Sequence, residues 1–145
     1  MTPTRLLSPV VALAAFAVVP LWAGESLPRH VTPEAARAVQ RGLEFLSRTQ
    51  TPEGAWVQGN QGEAYPVSGT ALAGMARLAG GNTPTRGPHA RTVRGALEYL
   101  VGCTTKSGLI TGTSQESGRP MHGHGFALMF LASTYGMVTQ PRQAE

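Results

Sequence analysis

The residues best suited to chemistry stand together near the C-terminus: His122 and His124, flanked by glycines in Met-His-Gly-His-Gly. Two imidazoles at this spacing can share one metal, and zinc is the ion they would suit. Zinc, however, takes three or four protein ligands. The candidates for a third, His89, Cys103 and Glu116, stand at no spacing that recommends them. We therefore expect no metal and no other cofactor. No Gly-x-Ser-x-Gly elbow, P-loop or His-Glu-x-x-His occurs. All eight acids are glutamate. A Ser/His/Asp triad in its usual form thus lacks its aspartate, although Glu could substitute. Glu25, Glu34, Glu53, Glu63 and Glu116 fall in or beside predicted loops, with no pair sharing an evident site. No catalytic residue is assigned.

Composition sets the frame for these side chains. At 145 residues the chain is one domain or less, and 41% hydrophobic against 14% charged residues is apolar enough to fold. The net charge of +4 comes almost wholly from arginine, Lys106 being the one lysine. These arginines are scattered, whereas nucleic-acid surfaces gather theirs into a stripe, so no nucleic-acid partner is expected. Residues 1–24 resemble a secretory signal peptide: Arg5, then an apolar run over residues 6–21, then the small residues Ala23, Gly24 and Ser26. The chain is accordingly expected to be secreted or periplasmic, with membrane attachment only if this segment stays uncleaved. Cys103 is the single cysteine. It cannot form an internal disulfide and reads as a small apolar residue.

The elements that must position the histidines come from an internal repeat. An offset of 54 residues carries Val39 onto Val93, Leu43 onto Leu97, Leu46 onto Leu100 and Gly54 onto Gly108, with Phe45 facing Tyr99 and Trp56 facing Ile110. Further on, an offset of 56 carries Gly69, Ala71, Leu72 and Gly80 onto Gly125, Ala127, Leu128 and Gly136. Periods of this size signal stacked supersecondary units. Each unit reads as an amphipathic outer helix and an inner helix apolar nearly all round. Ala36, Val39, Leu43 and Leu46 form one stripe behind Thr32 and Pro33, an N-cap and a first turn. The inner helices are expected over residues 67–79 and 126–132. Unit one spans residues 31–84 and unit two 85–137; residues 138–145, with another Thr and Pro, read as the start of a truncated further repeat. In this register His122 and His124 align with Pro66 and Ser68. His124 then belongs to the N-cap region of the second inner helix, bonding a free backbone N–H or lining a cavity mouth.

Residues 50–56, Gln-Thr-Pro-Glu-Gly-Ala-Trp, have the form Q-x-x-x-G-x-W just after an outer helix. An amide can satisfy backbone groups at a helix end, a glycine permits the tight turn, and an indole covers the joint while its N–H finds an acceptor. Gln50, Gly54 and Trp56 are therefore structural assignments. The motif resembles the QW motif of squalene and oxidosqualene cyclases, and residues 31–137 resemble the wider prenyltransferase and squalene-cyclase repeats. The second copy departs from it, with Thr104 for Gln50 and Ile110 for Trp56.

The resemblance implies an all-α chain, two helical hairpins of an α/α toroid forming an incomplete ring. It also implies terpene cyclisation or prenyl transfer in full-length relatives, but the cyclases use an Asp-x-Asp-Asp acid and the prenyltransferases an Asp, Cys and His on zinc. Without aspartate neither route runs here. The function expected is a non-catalytic exported scaffold or binding module. Its partner is an unnamed ligand or protein, or a further copy through an open apolar face. The alternative is the N-terminal fragment of a terpene cyclase or prenyltransferase-like enzyme whose active-site repeats are missing. Polysaccharide processing, which α/α toroids also carry out, enters by fold analogy alone.

Overall fold

A computed structural model describes residues 30–57 and 65–138. The expected signal segment, residues 1–24, and residues 139–145 of the expected further repeat lie outside the described residues. The chain divides into two compact units, Met1–Val31 and Thr32–Glu145, and every described helix lies in the second. The fold is all-α. Helix α1 runs Pro33–Thr49, α2 Pro66–Ala79, α3 Ala90–Gly102, α4 Ser114–Gly118 and α5 Pro120–Thr134.

Helix α1 begins where its signals place it. Thr32 caps it, its hydroxyl accepting from the Ala35 N–H at 3.2 Å, and Pro33 occupies the first turn. Helix α2 begins at a proline too, one residue ahead of expectation. It is the centre of the fold: Val67, Ala71 and Gly74 are buried in it. Helix α5 lies so close that a Cβ on Gly74 would stand 2.5 Å from the Phe130 ring. Only glycine admits this approach. Val93, Ala96 and Leu100 of α3 complete the core with Trp56 and Ile110.

The loops after α1 and α3 make the same bonds at positions 54 apart. Thr51 N–H donates to Ala55 O at 2.9 Å, and Thr105 N–H to Leu109 O at 2.8 Å. Gly54 and Gly108 sit at φ +91° and +85°, a region that L side chains avoid. Trp56 N–H donates to Thr70 Oγ1, and Ile110 N–H to His124 Nδ1.

Two expectations need correction. The expected change of offset from 54 to 56 ahead of the inner helices does not occur: both helices open on a proline, Pro66 and Pro120, and His124 stands in the place of Thr70, not Ser68. The added residue appears at the helix end, where the left-handed glycines are Gly81 and Gly136. Second, α5 starts six residues before Phe126, so His122 and His124 lie inside it; its N-cap is Arg119. The glycines flanking the histidines lower helix propensity, but Gly123 is closely packed. A Cβ there would stand 3.2 Å from Ser68 Oγ, so its small size lets α5 approach α2.

Candidate functional site

His122 and His124 are two residues apart on a helix, about 200° around its axis, and such pairs do not face each other. His122 is exposed and His124 half-buried. The imidazole of His124 accepts from the Ile110 N–H at 3.3 Å through Nδ1, so in the neutral ring Nε2 carries the proton. The N–H it receives belongs to the preceding loop, not to the N-terminal end of its own helix. The residues considered as a third ligand are each engaged elsewhere. His89 Nδ1 lies 3.0 Å from Ser47 Oγ, the Cys103 thiol shares a hydrogen bond with Tyr99, and Glu116 is bound to backbone. Among the described residues no group of three or more His, Cys or Glu is gathered around one point.

Glu116 holds a position that local patterning does not reveal. It is 2% exposed, carried on the short helix α4. Its Oε1 accepts from the N–H groups of Val67 and Ser68, at 3.0 and 3.2 Å, and its Oε2 from Gly112 N–H at 3.1 Å. Val67 and Ser68 are in the first turn of α2, whose N–H groups have no helical partners. Tyr65, the N-cap, supplies no side-chain bond. A carboxylate 49 residues further along the chain does so, and its charge also suits the positive end of the helix. The Thr113-x-x-Glu116 spacing, a capping-box pattern, is the one sequence signal for α4. Thr113 Oγ1 does accept from Glu116 N–H.

Around this carboxylate sit Tyr99 and Cys103. A Cβ on Gly112 would lie 3.1 Å from Glu116 Oε2 and 3.2 Å from the Tyr99 hydroxyl. Burial pushes the Tyr99 phenol up, reinforced by Cys103 and by the Glu116 charge. Burial likewise pushes the Cys103 thiol up, against a hydrogen bond with Tyr99 that lowers it. A thiol shifted in this direction stays protonated and is a poor nucleophile. Glu116, with three backbone donors on its two oxygens, is placed to brace α2.

The joint motif is built in three parts. Gln50 Nε2 donates to Gly54 O at 3.0 Å and to Thr92 O on α3 at 2.9 Å. Gly54 fits against α3 because it has no side chain: a Cβ would lie 2.3 Å from Gly95 O. Trp56, 4% exposed, donates from Nε1 to Leu46 O in the last turn of α1 at 2.9 Å. At the corresponding place Thr104 reaches only back to Leu100 O of its own helix.

Arg77 is a second buried group that the helical pattern leaves unexplained. It is 0% exposed, and its Nη2 donates to Leu43 O and to Ser47 Oγ. With the Ser47–His89 contact these bonds link α1, α2 and the start of α3. Burial lowers its pKa, and Nε and Nη1 have no partner among the described residues. Among the described residues no helix is long and apolar enough to cross a membrane. The chain finds no match among protein-family models, curated proteins or solved structures.

Proposed function

We propose that the chain is an exported repeat protein of the prenyltransferase and squalene-cyclase type that serves as a scaffold or binding module without catalysis of its own. The observation that carries this reading is the joint of Gln50, Gly54 and Trp56. The amide and the turn meet the backbone of the next hairpin at Thr92 and Gly95, and the indole N–H ties the loop back to α1 at Leu46 O. Glu116 and Arg77 support it in the same way: Glu116 caps the start of α2, and Arg77 Nη2 donates to Leu43 O and Ser47 Oγ of α1. Matching bonds 54 residues apart in the two loops support two units of one array.

The test is an activity screen beside a localisation assay. Purified chain is incubated with squalene and with farnesyl diphosphate plus an acceptor peptide, each with and without zinc, and products are read by mass spectrometry. The expected result is no cyclised or transferred product; turnover in any arm overturns the scaffold reading and favours the enzyme. Export predicts a chain recovered outside the cytoplasm that begins near Glu25.

A further inference from the structure

Two surfaces of the helical unit are apolar and open, and the 54-residue correspondence indicates what each would meet. On α3, Val93, Ala96 and Leu100 are all 0% exposed. Their counterparts on α1 are Val39, which is 59% exposed, Gly42, which is exposed, and Leu46, which is half-buried. The same stripe is thus core in one hairpin and solvent-facing in the other. It lines an apolar groove of about 470 Å³ beside α2, continuous through Leu46 and Ala76 with a second hollow floored by Gly69 and Ala73. Gly69, Ala73 and Ala76 correspond to Gly123, Ala127 and Phe130, and those three pack α5 against α2: Gly123 and Ala127 are buried, and Phe130 covers Gly74.

The opposite surface is the outer face of α5. Met121, Gly125, Leu128 and Ala132 follow one another at spacings of four, three and four residues, one helical stripe. All four are exposed, Met121 at 65% and Leu128 at 49%. Their counterparts on α2 are Val67, Ala71, Gly74 and Leu78, of which the first three are buried and the last half-buried. Gly74 and Val67 contact α5, at Phe130 and Gly123. Thus α2 has an inner-helix neighbour on this face and α5 has none among the described residues. Helix α5 carries no Arg, Lys, Asp or Glu, so docking it on an apolar groove buries no formal charge.

We propose that the groove between α1 and α2 receives α5 of a second copy of this chain, in the relation that α2 bears to α3 and α5 within one copy. The contact is head-to-tail. It leaves a groove free at one end and an α5 free at the other, so it propagates or closes into a ring. This rests on the array reading given above. It is not a symmetric dimer, and that difference supplies the test.

Val39→Glu charges the groove and Leu128→Glu charges the α5 stripe; both positions are solvent-facing in the single chain, and circular dichroism checks that each variant keeps its helices. Sedimentation velocity of the full chain over a wide concentration series should give a wild-type mass that climbs to at least twice that of one chain. Each variant alone should stay at the mass of one chain. An equimolar mixture should form a dimer and stop there, because only one intact groove and one intact stripe can meet. A wild-type chain that stays monomeric overturns the proposal, since some other segment then covers the groove. A mixture that stays monomeric overturns it as well, and so does a variant that self-associates like the wild type. The array reading fails separately, if Gln50→Glu leaves the melting temperature of the monomer unchanged.

Discussion

The side-chain amide of Gln50 has two protons, and both go to carbonyls: Gly54 O within its own turn and Thr92 O on the next hairpin. This decides what substitution should do. Gln50→Ala removes both bonds and leaves one acceptor on the buried Gly54 and one on the half-buried Thr92, at about 1–3 kcal/mol. For a domain of this size that lowers the melting temperature on the order of 5–15 °C. Gln50→Glu is nearly the same shape but offers acceptors to acceptors, so at neutral pH it should melt below Gln50→Ala. A general size effect would give the reverse order, and thermal melts of the pair distinguish the two. Tyr99 and Cys103 give a second expectation, in pH. Both are pushed up by burial from ordinary values of 10.0 and 9.0, so the folded chain holds protons that the unfolded chain releases. Stability contributed in this way is complete below the unfolded values and is lost as pH rises. Melting should be flat through neutrality, fall above about pH 9 as Cys103 ionises in the unfolded chain, and fall more steeply above about pH 10. Tyr99→Phe should remove the steeper limb, and an unchanged slope in that variant would assign it to other groups.

At the scale of elements, what could be read in advance was local. The Thr32 cap, the Pro33 first turn and the α2 span, early by one residue, depend on residues near one another in sequence. The Gln50 bond to Thr92, 42 residues away, and the seat of Gly54 against Gly95 do not. The start of α5 is not visible locally, because the glycines on either side of His124 lower helix propensity; Gly123 instead lies against Ser68 and Val67, a packing that exists only with α2 present, whereas Gly125 faces open space. Glu116 was legible as an acid near a loop and no further. Its partners Val67 and Ser68 lie 49 and 48 residues away, beyond any periodicity. Helix α2 thereby depends on a cap from another part of the chain. Glu116→Gln keeps the size but loses the charge and one acceptor. We expect a cost of about 1–3 kcal/mol, with faster hydrogen exchange at the Val67, Ser68 and Gly112 amides and little change at α3. Uniform loss of protection across all helices would mean that the carboxylate supports the whole core, not one helix end.

For the helical unit as a whole, burial is uneven. Helices α2, α3 and α5 share the core, whereas α1 contributes no buried residue. It is held by the half-buried Leu46, which packs against the core, and by polar links: Arg77 to Leu43 O and Ser47 Oγ, and the Trp56 indole to Leu46 O. A helix attached this way opens at low free energy, because regions with few buried apolar contacts sit at the low end of local stability. In dilute solution the α1 amides should therefore exchange well before those of α2. Arg77→Met should widen that gap: it removes both bonds to α1 while replacing a buried guanidinium, two of whose nitrogens lack partners among the described residues, with an apolar chain. The α2–α5 packing should survive this change, so the variant keeps most of its helical signal and loses protection mainly over residues 33–49. The same measurement connects to assembly. If α5 of a neighbouring copy fills the groove, the wild-type α1 amides should gain protection as concentration rises, while those of Val39→Glu stay fast. Association that leaves α1 exchange unchanged would place the contact elsewhere on the molecule, because a groove lined by Val39, Leu43 and Leu46 cannot be occupied without damping the opening of the helix that carries them.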